Sequence, residues 1–372
     1  MIPQYILDVI EKDDSLFSQG TREDFKIPEY NPNLHYLQIS NNNYFSALIC
    51  LRSYIKLISD YYFTSVVEAK NVDLFMLTSS VSSPMGPGSN SEAIEIKFGN
   101  IDSYLVDSSQ FGFEPLLLNG LDKVYCYMPS MRGENPDKRH LNQFFHCEME
   151  MKGSLEDIKG VVEGYVKIMC ETILKADNII RLISKDYKKT KEILENVVVL
   201  DSFENSSFDE AVTLLEKAGK SNLVNYTDYG RDISAKGELE FLKILKTNLP
   251  VWINNFDRDR VPFYQKPCED NDNKVINADL LFPPIKNGSF GGEIVGGGQR
   301  QNDTKSMYES LSRQNVSPDP YAWYIDLRRQ EKYRLSAGFG LGIERFISWA
   351  LGLEDIKDAI IYPRLKNIIS YP

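Results

Sequence analysis

The chain has 372 residues and a mass of 42.6 kDa, and its 42% hydrophobic and 26% charged residues are typical of a folded globular protein. A formal net charge of −11 argues against a surface that holds nucleic acid by bulk positive charge. No run of about 18 apolar residues predicts a membrane span, and the acidic start MIPQYILDVIEKDD is unlike a secretory signal peptide.

The N-terminal third begins with 35 residues that are too few to hold a core of their own. We expect an N-terminal arm over 1–35 and one large domain over 36–372. Residues 72–78 (VDLFMLT) are predicted to form a buried strand, and 79–91 a loop rich in Pro and Gly that could act as a mobile lid. Between the arm and this predicted strand, six apolar residues at intervals of 4, 3, 4, 3 and 4 predict a long helix: Tyr44, Leu48, Leu51, Ile55, Ile58 and Tyr62.

The rest of the chain changes character twice. Residues 154–250 are predicted to be mainly helical, as an insertion or helical subdomain. The last third returns to strands around two glycine-rich stretches, 288–300 and 337–346. Because strands cluster instead of alternating with helices, the order predicts an α+β fold, with an antiparallel sheet flanked by helices. The earlier strand-rich runs are 94–99, 103–109, 124–129 and 140–151.

The cysteines and histidines limit the possible chemistry. The five cysteines are odd in number and far apart, without a CxxC pair, and the three histidines are also scattered. This pattern argues against disulfides, a zinc site or a serine–histidine hydrolase. It indicates buried free thiols in a reducing, cytoplasmic compartment.

Candidate phosphate-binding residues lie in a charged turn and in a glycine-rich strand. The turn RGENPDKR carries Arg132 and Arg139, and two arginines across a hairpin could grip separate phosphates as bidentate donors. The glycines of 337–346 are weak evidence for a dinucleotide fingerprint. They suit a strand on which a flat ligand lies close to the backbone. A helix starting near Ile343 would place Arg345 beside a phosphate. Taken singly, a solvated turn and a helix-surface arginine are the simpler interpretations.

Further candidates lie on predicted strands. Phe144 and Phe145 would face opposite sides of a strand, so at most one of them could stack on a ligand base. Glu148 shares a strand face with the glutamate two residues later. Asp279 and Glu293 offer the hard oxygen ligands that suit a Mg²⁺ bridging phosphates. An isolated acidic residue is usually only part of the surface.

Taken together and in order, these segments resemble the class II aminoacyl-tRNA synthetases of the aspartyl, asparaginyl and lysyl subgroup, and most closely the asparaginyl branch. The second signature motif of that family is matched by 131–150 (MRGENPDKRHLNQFFHCEME), and the third by 338–346 (GFGLGIERF). The stretches 291–300 (GGEIVGGGQR) and 321–329 (YAWYIDLRR) are typical of the asparaginyl branch. The resemblance runs from about 36 to 364 and implies the class II catalytic fold.

The resemblance also implies a role for each matched residue. Arg132 would hold the ATP α-phosphate, and Arg345 would sandwich the adenine against Phe144 and reach the γ-phosphate, so the two arginines would be catalytic. Asp279 and Glu293 would bind Mg²⁺. The other implied residues are Glu134 near the adenine, Arg139 and His140 near the γ-phosphate, Gln110 near the substrate α-amino group, Glu148 in the amino-acid pocket, and Arg300, which would read the side-chain carbonyl or carboxylate of Asn or Asp.

Several departures from the family pattern bear on partners and substrate. We expect no N-terminal anticodon-reading barrel and hence no recognition of tRNA by its anticodon. A homodimer built on the helix at 44–63 and the strand after it is expected, although Phe75 stands near the proline of the first motif. The loop at 81–92 has no glutamate at the matching place unless Glu92 is displaced, and Ser336 replaces a histidine. Phe113 stands where aspartyl enzymes keep a lysine for the β-carboxylate, which leans away from plain Asp recognition.

The resemblance therefore implies an ATP-dependent ligase that activates an Asn- or Asp-like amino acid as an adenylate and passes it to tRNA, ammonia or an amine. No protein nucleophile is required for this chemistry, which is consistent with the scarcity of histidine. Two alternatives stay open. One is an ammonia-dependent asparagine synthetase acting on aspartate, and the other is a non-catalytic paralogue that binds an amino acid or tRNA. The complete set of phosphate-binding positions argues against the second.

Overall fold

The polypeptide is built around one large sheet within residues 1–82 and 92–371, the part of the chain that the computed structural model describes. The helices are α1 (Gln4–Ser15), α2 (His35–Asn41), α3 (Asn43–Tyr61), α4 (Gln110–Leu118), α5 (Leu155–Lys175), α6 (Asp177–Ile183), α7 (Tyr187–Val199), α8 (Phe208–Lys217), α9 (Ala235–Leu245), α10 (Thr304–Arg313), α11 (Ala322–Asp326) and α12 (Ile343–Ala350). The strands are β1 (Lys70–Asn71), β2 (Leu77–Thr78), β3 (Glu95–Phe98), β4 (Ile101–Leu105), β5 (Lys123–Met131), β6 (Gln143–Lys152), β7 (Glu204–Ser207), β8 (Val224–Thr227), β9 (Gly230–Ile233), β10 (Val251–Asn254), β11 (Asn277–Phe282), β12 (Gly292–Gln299) and β13 (Ser336–Gly342).

The main sheet has eight strands in the order β1–β5–β6–β13–β12–β11–β10–β7. Its five inner pairings, from β5 to β10, are antiparallel, and the short strands β1 and β7 add parallel edges. The predicted α+β class with a mainly antiparallel sheet is therefore confirmed. Because β6, β13, β12 and β11 lie side by side, residues from distant parts of the sequence share one face of the sheet.

Helix α3 confirms the periodic pattern from which it was predicted. Leu48, Leu51 and Ile55 are fully buried in the main core, as the 3.6-residue period requires for one face of a helix. Helix α1 of the predicted arm adds Ile6 and Ile10 to the same core. The apolar stripe of α3 is thus used inside its own chain, and it carries no argument for a contact with a second chain.

The predicted strand at 72–78 is wrong over most of its length. The chain pairs with β5 only at Lys70–Asn71, after which Val72 N–H donates a further hydrogen bond of 3.0 Å to the Tyr125 carbonyl. It then leaves the main sheet, and Leu77–Thr78 pairs with β4 in a separate sheet of three strands. The apolar residues of 72–78 correctly indicated that the segment packs against the protein. They could not show that it runs from one sheet to another.

The predicted helical insertion at 154–250 contains α5 to α9 and also the short strands β7, β8 and β9. Its first helices, α5 and α7, pack in the main core, whereas α8 and α9 surround a smaller cluster that includes Phe208, Leu215 and Phe241. Helix α9 also packs against β11 and β12 of the main sheet. This contact brings the start of α9 to the edge of the cleft described below.

Three further sequence expectations concern the chain as a whole. Within residues 1–82 and 92–371, no helix is long and apolar enough to cross a membrane. All five cysteines are unpaired, as predicted; Cys126, Cys147 and Cys170 are buried as expected, whereas Cys50 and Cys268 are only partly buried. Most of the predicted lid, 83–91, lies outside the described residues.

Candidate active site

A cleft of about 720 Å³ lies over β6, β13, β12 and β11, and a smaller cavity of about 60 Å³ shares part of its lining. The two cavities share Arg132, His146 and Arg345, so they form one continuous site with two ends. Every residue assigned to the site from the sequence lines one or both cavities. These residues are Gln110, Arg132, Glu134, Arg139, His140, Phe144, Glu148, Asp279, Glu293, Arg300 and Arg345.

The floor of the cleft depends on glycine in β13. A Cβ added to Gly338 would overlap the Glu150 carboxylate and would lie 2.5 Å from the Met149 carbonyl oxygen. Neither neighbour can move freely, because both belong to the adjacent strand β6. The glycine-rich stretch is therefore a sheet strand with side chains of its neighbours lying across it, as the sequence indicated, and not a nucleotide-binding loop of a βαβ unit.

At one end of the cleft, Phe144 and Arg132 form an open face. The Arg132 guanidinium lies 5.6 Å from the centre of the Phe144 ring, within the range of a cation–π contact. Phe145 points to the opposite side of β6, where Arg52 of α3 lies 5.4 Å from its ring centre. The predicted alternation of the two rings is confirmed. A flat base could lie against Phe144, with Arg345 on the lining of the same cavity.

Glu344, next to Arg345 in the first turn of α12, holds this end together. Strand β13 stops at Gly342, opposite His146, so the ladder ends before Phe145. The Phe145 N–H instead donates to Glu344 Oε2 at 2.8 Å, and Arg52 Nη2 lies 2.8 Å from Glu344 Oε1. A single buried carboxylate thus links α3, β6 and the helix that carries Arg345.

The turn between β5 and β6 is fixed by Asn142. Its Nδ2 donates to the carbonyl oxygens of Arg132, at 2.8 Å, and Glu134, at 2.7 Å. The Asn142 carbonyl accepts from the Arg132 N–H at 3.0 Å. His140 contacts Asp137 in the same turn, with 2.9 Å between Nδ1 and Oδ1. Burial and the nearby Arg345 lower the pKa of His140, which keeps the ring neutral at physiological pH.

Three arginines and several carboxylates meet near the end of the site that Phe144 lines. Arg345 Nη1 lies 3.1 Å from Glu293 Oε2 and donates to the Glu293 carbonyl at 3.1 Å. Burial alone would raise the pKa of Glu293, but Arg345, Arg132 and Arg139 outweigh it, so the pKa is lowered. For Asp279, burial and repulsion from Glu293 and Glu238 raise the pKa well above its ordinary value.

Asp279 and Glu293 fit a divalent cation. A Cβ added to Gly296 would lie 3.2 Å from Asp279 Oδ1 and 3.5 Å from Glu293 Oε1, so both oxygens flank one small space that glycine leaves free. Their mutual repulsion is the kind that a cation would relieve. No group of three or more metal-ligating side chains occurs in 1–82 and 92–371, and a pair of carboxylates is typical of Mg²⁺ that also binds substrate phosphates.

At the other end of the cleft, Glu148 is held ready as an acceptor. Its two oxygens accept hydrogen bonds from the Ser108 hydroxyl at 2.6 Å and the Ser109 N–H at 2.7 Å. Burial is the largest influence on Glu148 and raises its pKa. Gln110 lies in the first turn of α4, and its Nε2 is 3.5 Å from Glu114 Oε1.

Arg300 does not stand alone in the pocket. Its Nε and Nη2 form a buried fork with Glu150, at 2.8 to 3.1 Å. The guanidinium also lies 5.5 Å from the ring centre of Tyr264. The glutamate two residues after Glu148, which the sequence placed on the same strand face, is therefore the partner of this arginine. A second buried ion pair joins Arg328 Nη2 to Glu114 Oε2 at 2.7 Å.

Several residues of the site were missed by sequence reasoning. His146 lines both cavities, with its Nδ1 3.0 Å from the Ser130 hydroxyl. Burial first, and then Arg132 and Arg345, lower its pKa to about 3. Its position two residues from Phe144 and Glu148 on one strand face was a usable signal. Glu238, on α9, contacts Arg139 and Glu293, and no pattern in the sequence pointed to it.

Comparison with known protein families gives a match over residues 27–366 to the family described as tRNA synthetases class II (D, K and N). The asparagine–tRNA ligase of Mycoplasma pneumoniae is 30% identical over 357 residues, which is 92% of this chain and 74% of that protein. The asparagine–tRNA ligase of Thermococcus kodakarensis is 33% identical over 281 residues, which is 75% of this chain but only 61% of that protein. The chain thus spans between three fifths and three quarters of these relatives.

Solved structures show the same likeness in three dimensions. The asparaginyl-tRNA synthetase of Pyrococcus horikoshii, complexed with asparaginyl-adenylate, superposes with a TM-score of 0.79 at 27% identity. The alignment covers 92% of this chain and 73% of that one. The asparaginyl-tRNA synthetase of Entamoeba histolytica has a TM-score of 0.71 at 24% identity, and it supports the fold alone.

Proposed function

The chain belongs to the class II tRNA synthetases of the D, K and N group, and from that premise we propose that it is an ATP-dependent ligase that activates asparagine as an aminoacyl-adenylate. The observation that carries the proposal is the continuous site formed by the cleft and the smaller cavity, which gathers all eleven implied residues at two chemically different ends. One end has an aromatic face and several arginines for a nucleotide. The other has buried carboxylates and one buried arginine for an amino acid.

The reaction needs charge stabilisation more than acid–base groups. The carboxylate of the amino acid attacks the α-phosphorus of ATP, an O–P bond forms, and the bond to the leaving pyrophosphate breaks. Arg132 would stabilise charge on the α-phosphate, and Arg345 would hold the base and the γ-phosphate. Asp279 and Glu293 would hold Mg²⁺, which supplies positive charge along the triphosphate. Burial lowers the pKa of both His140 and His146, which makes the two rings weak proton acceptors, as suits a mechanism that moves no proton to the protein.

The charges at the amino-acid end favour asparagine over aspartate. Arg300 is already paired with Glu150, and Glu148 adds a second carboxylate to the same pocket. Phe113, which also lines the cleft, contributes no cation. The neutral side-chain amide of asparagine can donate to one of these glutamates and accept from Arg300. The side-chain carboxylate of aspartate would instead add negative charge to a pocket that already holds an excess of it.

A pyrophosphate-exchange screen over the standard amino acids tests the proposal. Asparagine is expected to support exchange, with aspartate at least tenfold weaker (about 1.4 kcal/mol). The acceptor is then found by adding ammonium, small amines or bulk tRNA to the preformed adenylate. If none of the standard amino acids supports exchange, the ligase proposal is refuted. Exchange with aspartate alone, followed by amide formation with ammonium, would replace this proposal with an asparagine synthetase.

We also expect a homodimer, by analogy with the family. The buried stripe of α3 does not supply the contact, so the candidates are apolar residues that are exposed on the surface. Ile49 and Val66 are about half exposed, and Phe98 and Ile101, at the tip of the β3–β4 hairpin, are more than 60% exposed. Phe98 and Ile101 are paired in that hairpin, and large exposed apolar side chains that lie together are typical of contact surfaces.

A further inference from the structure

The carboxylate of Glu238 reaches the phosphate end of the cleft from a helix outside the signature motifs. Its Oε2 accepts a hydrogen bond of 3.0 Å from the Glu293 N–H. The same oxygen lies 3.6 Å from Arg139 Nη2. One atom therefore contacts both the backbone of an implied Mg²⁺ ligand and the side chain of an implied phosphate ligand.

Arg139 is enclosed on three sides. Its Nη1 donates to the Gly291 carbonyl, and its guanidinium lies 4.8 Å from the ring centre of Phe290. Glu238 closes the third side. Gly292, with φ of +91°, cannot be replaced by a residue with a side chain, because an added Cβ would overlap Glu238 Oε2 and lie 2.8 Å from Arg139 Nη2. The guanidinium is thus held in one place by close contacts.

Helix α9 gives Glu238 a firm base. Ser234 caps the helix by accepting from the Gly237 N–H at 3.2 Å, and Phe241 and Leu242 anchor it in the smaller core cluster. The helix also packs against β11 and β12. A carboxylate on a rigid, capped helix can fix a flexible arginine with little loss of precision.

We propose that Glu238 is a positioning residue that holds Arg139 in place for the terminal phosphates of ATP. It acts through Arg139 and does not touch the nucleotide itself. An unrestrained arginine side chain loses conformational entropy when it binds a phosphate. Because the ion pair with Glu238 already restricts Arg139, ATP binding no longer carries that entropic cost. The inference rests on the proposed function, since that supplies the role of Arg139.

The test compares Glu238→Gln with the wild type and with Glu240→Gln. Glutamine keeps an oxygen that can accept from the Glu293 N–H but removes the charge that faces Arg139. Glu240 is on the same helix and pairs with Lys220 and Lys243 at the surface, so its variant is the matched control. ATP–Mg²⁺ affinity is measured by calorimetry, amino-acid affinity by thermal shift, and KM and kcat by pyrophosphate exchange.

We expect Glu238→Gln to weaken ATP affinity and raise the KM for ATP by roughly tenfold, with amino-acid affinity and kcat within about twofold. Glu240→Gln should match the wild type. In an Arg139→Met background, Glu238→Gln should add little, because the pair is already broken. If the glutamine variant does not fold, Glu238→Asp keeps the charge at a shorter reach and should show an intermediate loss.

Three results would overturn the inference while leaving the proposed function intact. They are unchanged ATP affinity in Glu238→Gln, tighter ATP binding, which would mean that Glu238 competes with phosphate for Arg139, and an undiminished effect in the Arg139→Met background. Failure of the wild-type protein to bind ATP would instead refute the proposed function. The two failures are therefore distinguishable in one set of titrations.

Discussion

Replacing Arg345 by alanine is the sharpest test of the nucleotide end. Arg345 lines both cavities, and its Nη1 lies 3.1 Å from the Glu293 carboxylate. The alanine variant removes a cationic side chain that lines the same cavity as Phe144, where the adenine of ATP would lie under the proposed function. It also removes a positive charge from the position where the pyrophosphate would leave.

The expected loss of activity follows from two contributions. A cation–π contact of arginine with a bound base contributes about 0.5 to 2 kcal/mol. Removal of one preorganised donor to a developing negative charge costs about 2.7 to 4 kcal/mol in the transition state. Their sum of about 3 to 6 kcal/mol corresponds to roughly 10² to 10⁴ in rate at 1.36 kcal/mol per factor of ten. Stability should change by no more than about 1 kcal/mol, because Glu293 is 37% exposed and keeps other arginines nearby.

Pyrophosphate exchange with asparagine, measured beside a thermal melt, gives both quantities. Arg329→Ala is the control, since Arg329 is 59% exposed and pairs with Asp326 across one helical turn. We expect the control to keep wild-type exchange. Exchange by Arg345→Ala within threefold of the wild type, with an unchanged melting temperature, would refute the assignment of the nucleotide end.

The remaining predictions concern stability and assembly. Ser154→Ala removes the capping box of α5, in which Ser154 and Asp157 satisfy each other's N–H groups, and should cost about 1 kcal/mol in denaturant unfolding; no loss would mean that solvent replaces the cap. Burial, and then repulsion from Asp355, raise the pKa of Asp358 to about 6. Its contribution to stability is therefore fully present below pH about 4 and is lost as the pH rises through about 6. Asp358→Asn should raise the free energy of unfolding at pH 7.5 by about 1 to 3 kcal/mol, seen as a higher melting temperature, and leave it nearly unchanged at pH 4. Equal effects at both pH values would contradict this. Light scattering at tens of micromolar should give twice the 42.6 kDa chain mass, and a monomer mass would disprove the dimer.

The sequence by itself determined the features that depend on local spacing. The stripe of α3 was correctly read because buried residues on one helix face recur every three or four positions. Phe144 and Phe145 were correctly placed on opposite faces of β6 for the equivalent reason in a strand. The fold class was also predicted correctly, and the eleven candidate residues that line the cavities were chosen, from long motifs in a fixed order, since no single residue among them was distinctive alone.

Only the tertiary structure decided which distant groups meet. Arg300 and Glu150 are 150 residues apart in sequence and form one buried fork, and Glu238 meets Glu293 across 55 residues. Strand 72–78 failed as a prediction because its apolar residues divide between two sheets. Side-chain periodicity reports which face of an element is buried, but pairing across the sheet is set by strand order, and strand order is fixed by contacts that no local window of sequence contains.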